Sequence, residues 1–314
     1  MGETQLREES ADLLDRAAAA INQIILGKDQ QIRLALACLI SRGHLLIEDL
    51  PGVGKTTLAH VIAKTMGLDF QRIQFTSDLL PSDVLGVSVY DRNTATFEFH
   101  PGPVFSNLVL ADEVNRATPK TQSALLEAME EHQVTVEGET RPLPQPFFVI
   151  ATQNPTHQIG TFPLPESQLD RFLMRLHLGF PGHDAERELL LGEDRRHMIE
   201  HLDPLFSPAK LRQVQEYASN MHVSDALIEY IQAILAFSRN SPLFDTGLSP
   251  RGGLALLNAA KSWAMICRHD FVVPEHVKAV LPVVVNHRIV PSGDETAARQ
   301  QTAAEIIAEA VPIP

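Results

Sequence analysis

The chain has 314 residues, with 26 Lys and Arg against 39 Asp and Glu, for a formal charge of −13. Hydrophobic residues make up 44% and charged residues 21%, enough apolar material for a sizeable core. This excludes a disordered chain and one that coats nucleic acid through its overall charge. A domain runs to roughly 100–200 residues, so the length predicts two domains, or one large and one small.

The first periodic stretch is 9–25, with Leu13, Leu14, Ala17, Ile21, Ile24 and Ile25 at helical spacing, Ser10 as its cap and Gly27 as its stop. Asp29 is placed to cap a second helix over 29–41. The apolar run 44–48 reads as a buried strand. A helix over 56–66, strands over 70–75 and 107–112, a helix over 119–131 and strands over 147–152 and 173–179 follow. That alternation predicts a parallel sheet covered on both faces. Two segments break it. Residues 87–91 with 96–100 predict a hairpin around Arg92-Asn93, and 133–136 with 139–143 another around Glu137-Gly138. Beyond Phe180-Pro181-Gly182 only helices are expected, over 183–198, 208–220, 224–239, 250–268, 274–286 and 296–310. Pro208, Pro250 and Pro274 stand near three of their starts, where a proline costs no helical hydrogen bond. The expected division is an α/β domain over 1–182 and a helical domain over 183–314.

Cys38 and Cys267 sit in apolar, helix-like runs and read as two free, buried thiols in a reducing compartment, with a bridge between them as the alternative. The first ten residues are charged and carry no apolar signal core. The apolar stretch 34–47 is cut by Arg42, Gly43 and His44 and is too short for a membrane span. A cytoplasmic location is expected. Aromatic residues are 6% of the chain, which argues against base-stacking platforms.

Pro51-Gly52-Val53-Gly54-Lys55-Thr56-Thr57 stands between a predicted strand and a predicted helix, the setting of a phosphate-binding loop. Glycines let backbone amides close round phosphate oxygens, and the following helix turns its N-terminus to the same charge. Lys55 has the reach for the β and γ phosphates, and the Thr56 hydroxyl suits Mg²⁺. The strict pattern wants glycine where this chain has Asp49, which leaves the backbone at 49 open. Further on, the apolar strand 107–112 ends in Asp112-Glu113. At the C-terminal edge of a parallel sheet such acids face a ligand. Asp112 would hold Mg²⁺ through water and Glu113 would polarise the attacking water.

Three more residues are candidates. Asn154 follows the strand 147–152 and either orients that water, contacts the γ-phosphate or starts a turn with Pro155. Arg171 offers planar donors for phosphate across a subunit boundary, with a salt bridge to Asp170 or Glu166 as the rival. Arg251 opens a helix of the second domain and either reaches nucleotide or is solvated.

Together these elements resemble the AAA+ ATPases, and specifically the MoxR family, from about residue 22 to about 300. The resemblance is carried by Glu48-Asp49-Leu50 with the loop through Thr57, by residues 74–83 (QFTSDLLPSD), by Ala111-Asp112-Glu113-Val114-Asn115-Arg116-Ala117 and by 120–131 (KTQSALLEAMEE). Residues 151–155 (ATQNP), 160–166 (GTFPLPE) and 168–172 (QLDRF) complete it. Asp49 at the first loop position is familiar within this family. The resemblance implies an ATP site with Walker A at Lys55 and Thr56, Walker B at Asp112 and a catalytic Glu113. It further implies sensor 1 at Asn154, a trans-acting arginine finger at Arg171 and sensor 2 at Arg251. The hairpins match the helix-2 insert and pre-sensor-1 insertions of this clade. It also implies a homo-oligomeric, hexameric ring that matures or activates a protein partner, often one with a von Willebrand factor A domain. By the same resemblance Asn115 and Arg116 add inter-subunit contacts and Gln74 restrains Glu113.

The leading expectation is therefore a Mg²⁺-dependent ATPase that remodels a protein. A nucleic-acid motor of the same clade is one alternative, but the hairpin 133–143 offers Arg141 beside Glu137 and Glu139 and no basic stripe. A nucleotide-gated binding module is another, opposed by the intact Asp112-Glu113 pair.

Overall fold

The computed structural model describes residues 3–154, 160–192, 195–292 and 301–313. Two helices come first, α1 (Glu3–Asn22) and α2 (Asp29–Ile40). The α/β part runs β1 (Leu45–Glu48), α3 (Lys55–Thr65), β2 (Phe70–Gln74), α4 (Pro81–Leu85), β3 (Gly86–Asp91), β4 (Thr96–Pro101), β5 (Leu108–Asp112), α5 (Pro119–Glu131), β6 (Gln133–Val136), β7 (Glu139–Pro142), β8 (Phe148–Gln153), α6 (Glu166–Leu169) and β9 (Met174–Leu176). Helices follow: α7 (His183–Leu191), α8 (Arg195–Glu200), α9 (Pro208–Ser219), α10 (Asp225–Asn240), α11 (Pro250–Ile266), α12 (Pro274–Val285) and α13 (Ala303–Ala310).

The main sheet has the order β2-β5-β8-β1-β9, and every pairing in it is parallel. Successive side chains of a strand point to opposite faces, so each strand feeds two cores. Leu45, Ile47, Leu108, Leu110, Phe148 and Ile150 pack in one cluster with α1, α2 and α3. Leu46, Val109, Ala111, Val149 and Ala151 pack in the other with α5. The first cluster continues into α9, α10, α11 and α12. Because the strands are parallel, β1, β5 and β8 all deliver their C-terminal ends to one edge, the edge at which open α/β sheets bind ligands.

Both expected hairpins are present as separate antiparallel ribbons, β3–β4 and β6–β7. They touch, with the Arg141 guanidinium 4.0 Å from the centre of the Phe99 ring. Pro208, Pro250 and Pro274 are the first residues of α9, α11 and α12, and the Ser207 and Ser249 hydroxyls accept from the Lys210 and Gly252 amides.

Some details differ from expectation. α1 begins at Glu3, so Ser10 is a buried interior residue and not a cap. Residues 3–8 are good helix formers, but they carry too few apolar positions for the periodicity to register. Asp29 lies in the first turn of α2 and pairs with Arg33 at 3.0 Å instead of capping the helix. Cys38 is buried, but Cys267 is exposed just past α11, and both are free. The helix expected over 183–198 is two, α7 and α8, with 193–194 outside the described residues. Of the helix expected over 296–310, residues 296–300 also lie outside them, as does Pro155. No helix among the described residues is long and apolar enough to cross a membrane.

Candidate functional site

Gly52 and Gly54 have φ of 87° and 94°, angles that glycine adopts without strain. Gly54 is the residue before α3, so the first-turn amides of Lys55, Thr56 and Thr57 have no partner within the helix. A Cβ at Gly52 would meet nothing within 4 Å. The backbone angle dictates that glycine, and the space over the turn stays open, a cradle that fits a phosphate.

Asp49 has no positive φ, so its position needs no glycine. Its carboxylate accepts from the amides of Leu50 at 2.9 Å, Leu178 at 2.7 Å and Gly179 at 2.7 Å. These bonds tie the loop to the chain that leaves β9, which a glycine could not do. Lys55 is buried, and its Nζ donates to the carbonyls of Asp49 and Leu50 and lies 3.5 Å from Asn154 Oδ1. Burial pushes the ammonium below its ordinary pKa, against the pull of Asp49, Asp112 and Glu113.

Asp112 is buried at the end of β5. Its Oδ1 accepts from the Thr152 hydroxyl at 2.6 Å, and its Oδ2 accepts from Arg72 Nε at 3.1 Å and Nη2 at 2.7 Å. Glu113 has φ 57°, a left-handed angle that costs a side-chain-bearing residue of order 1 kcal/mol or more. Its amide donates to Thr152 Oγ1 at 2.8 Å. Its carboxylate accepts from Asn154 Nδ2 at 2.9 Å, Arg116 Nη1 at 3.0 Å and Gln74 Nε2 at 3.1 Å.

One hydrogen-bonded network thus joins Asp49, Leu50, Lys55, Asp112, Glu113 and Asn154. Pro51, Gly52 and Val53 form the adjoining turn, and Thr56 and Thr57 the first turn of α3. The donor set suits a triphosphate with a hard divalent cation. Backbone amides and Lys55 would meet the anion, and the Thr56 hydroxyl and Asp112 carboxylate offer the oxygens that a hard cation takes.

Arg171 and Arg251 stand apart from this network. Both reach Glu130 in the last turn of α5, Arg171 Nη2 at 2.9 Å and Arg251 through its own Nη2. The neighbouring Met129 carbonyl accepts from His44 Nε2 at 3.1 Å, at the start of β1, whereas the phosphate loop leaves the end of β1. A helix rises ~1.5 Å per residue, which puts Glu130 on the order of 15 Å from the Glu113 end of α5. The salt bridge weighed between Arg171 and Asp170 or Glu166 does not form. Asp170 is held by Arg288 at 2.8 Å and by the Ser249 hydroxyl at 3.3 Å.

Arg72 and Glu130 carry no sequence signal of their own. Arg72 is a charge inside a short strand, FQRIQ, and its partner is 40 residues away. Glu130 is one of three acids in 127–131, and helical spacing alone does not choose among them.

Residues 44–174 match the ATPase family associated with various cellular activities (AAA), and residues 236–310 match the AAA lid domain. The chain is 47% identical over 283 residues to the uncharacterized protein YeaC of Bacillus subtilis, across 90% of this chain and 88% of that protein. It is 39% identical over 295 residues to the chaperone MoxR1 of Mycobacterium tuberculosis, across 90% and 77%. A crystal structure from Cytophaga hutchinsonii, named as a candidate ATPase, superposes with a TM-score of 0.84 at 36% identity, across 97% of this chain and 94% of that one. With this similarity along its length, a phosphate loop beside an acidic strand end and a helical lid, the chain belongs to the MoxR family of AAA+ ATPases.

Proposed function

We propose that this protein hydrolyses ATP in a ring, hexameric by family resemblance, with each site completed by the next subunit, and that turnover remodels a protein partner. The observation that carries this is the placement of Arg171 and Arg251 on Glu130, apart from Lys55, Asp112 and Glu113. A single chain therefore offers two incomplete halves. A head-to-tail interface that closes on itself brings them together, which generates a ring. In this reading Arg251 acts in trans, beside Arg171.

The loop 49–57 and the start of α3 bind the phosphates, and Lys55 neutralises them. Thr56 and Asp112 would hold Mg²⁺, which when bound supplies charge neutralisation at the phosphate oxygens. Glu113 accepts the proton of the attacking water, and Asn154, already bonded to it, orients that water. The neighbour's Arg171 and Arg251 stabilise charge on the transferring phosphoryl group. The division at 182 separates a core from a helical lid whose movement transmits force to the partner, a protein with a von Willebrand factor A domain in the family pattern. A nucleic-acid motor has less support, since Arg141 is engaged by Phe99 and Glu139.

Glu113→Gln is expected to bind ATP while turnover falls about 10²- to 10⁴-fold, the range of general-base catalysis. Arg171→Ala should be slow even when assembled, and wild-type activity per subunit should rise with protein concentration. A rate independent of concentration and untouched by Arg171→Ala would sink the ring model.

A further inference from the structure

We propose that Glu130 is a positioning residue for hydrolysis, holding Arg171 and Arg251 side by side as one anion-binding pair for the neighbour's ATP. This rests on the trans reading of the two arginines and goes beyond it, to the carboxylate that sets their geometry.

Two guanidinium groups repel each other unless an anion lies between them. Glu130 supplies that anion with one oxygen for each arginine, Oε2 for Arg171 and Oε1 for Arg251. The three side chains come from α5, from the turn after α6 and from the first turn of α11. Each is braced. The C-terminal half of α5 is pinned by His44 on the Met129 carbonyl and by Arg171 Nη1 on the Leu126 carbonyl, the latter at 2.7 Å. Asp170, next to Arg171, accepts from the Ser249 hydroxyl that opens α11, so one carboxylate fixes the register of both arginine-bearing segments.

The pair is not saturated. Arg171 Nε is buried and has no hydrogen-bond partner among the described residues. Arg251 is half exposed, its side chain at 49%. With Met129 and Glu130 the two arginines line a cleft of about 170 Å³. A buried donor without an acceptor is costly, and a phosphate presents several acceptor oxygens that the planar guanidinium fork can match two at a time. Two arginines less one carboxylate leave one net positive charge in the cleft, with the half-exposed Arg251 guanidinium facing solvent. That suits an anion brought by another subunit.

The test uses full-length protein and mixed rings. Glu130→Gln keeps the shape and removes the charge. Its own phosphate loop is untouched, so dilute, unassembled subunits should still bind ATP as wild type does. Turnover should fall about tenfold or more, a part of the ~10³-fold or greater effect of an arginine finger. Glu130→Ala should fall further. Mixing Glu130→Gln with Glu113→Gln subunits, each slow alone, should restore turnover. In an equal mixture about one interface in four joins an intact site to an intact arginine pair. Arg171→Ala mixed with Glu113→Gln is the control for the trans reading. Recovery in the control without recovery in the Glu130→Gln mixture overturns the proposal, as does wild-type turnover by Glu130→Gln alone. Failure of both mixtures overturns the trans reading, and the proposal with it.

Discussion

Arg72 shows how a single residue tunes the site. It places a guanidinium on Asp112, a carboxylate whose side chain is about 10% exposed. A charge so buried needs a partner, and a divalent cation would compete for the same oxygen. Arg72→Met should lower the stability of the nucleotide-free protein by about 1–3 kcal/mol, the cost of an unmade bond to a charged group. Mg²⁺ with ATP would restore a countercharge to Asp112. Binding stabilises in proportion to its preference for the folded state, so the melting-temperature rise on adding ATP with Mg²⁺ should be larger in Arg72→Met than in wild type. Equal rises in the two proteins would show that Arg72 and the metal do not compete. The sequence made Asp112, Glu113 and Lys55 legible because each follows a strand or opens a helix in a recognisable motif. Arg72 and Glu130 were not legible, because each matters only through a partner brought close by the fold.

The strand β1 is an element with two chemistries, one at each end. Its C-terminal end feeds the phosphate loop. At its N-terminal side, buried His44 accepts from the Val149 amide through Nδ1 at 3.0 Å, so Nε2 carries the proton and donates to Met129. Burial pushes the His44 pKa from 6.5 down to about 4. Between those values the unfolded chain binds a proton that the folded chain refuses. Stability is therefore present above pH 6.5 and falls as pH drops toward 4, by about 3 kcal/mol in total. Denaturant unfolding at a series of pH values should show this slope, and His44→Gln should flatten it. An unchanged slope in His44→Gln would place the acid sensitivity elsewhere, with buried His287, whose pKa burial also lowers, as the next group to test. The elements themselves were the readable part of the sequence, from the alternating strands and helices to both hairpins. What shifted was their ends, as at Ser10 and Asp29, where tertiary packing and not local capping sets the boundary.

At the scale of the whole molecule, lid and core share one hydrophobic cluster and an ion pair whose arginine is buried. Arg288, in the turn that follows α12, has a side chain only 4% exposed and donates to Asp170 and to the carbonyls of Phe172 and Leu173. Asp170 also receives the Ser249 hydroxyl, so a single core carboxylate anchors two lid segments beside Arg171. A lid that moves to transmit force must carry this edge with it or break the pair. Removing one member of a buried pair strands the other, at a cost of about 3–5 kcal/mol, whereas replacing both with apolar groups is often neutral. Asp170→Asn should therefore lower the unfolding free energy by about 3–5 kcal/mol. Arg288→Met in the same chain should recover most of that loss, because no uncompensated charge then remains in the core. Urea titrations of the two singles and the double complete the cycle. If the double variant is as unstable as the two single losses added, the pair is a surface contact in solution and the lid is not fastened there. If the double is stable but slow in ATP turnover, the pair serves the position of Arg171 more than the stability of the fold.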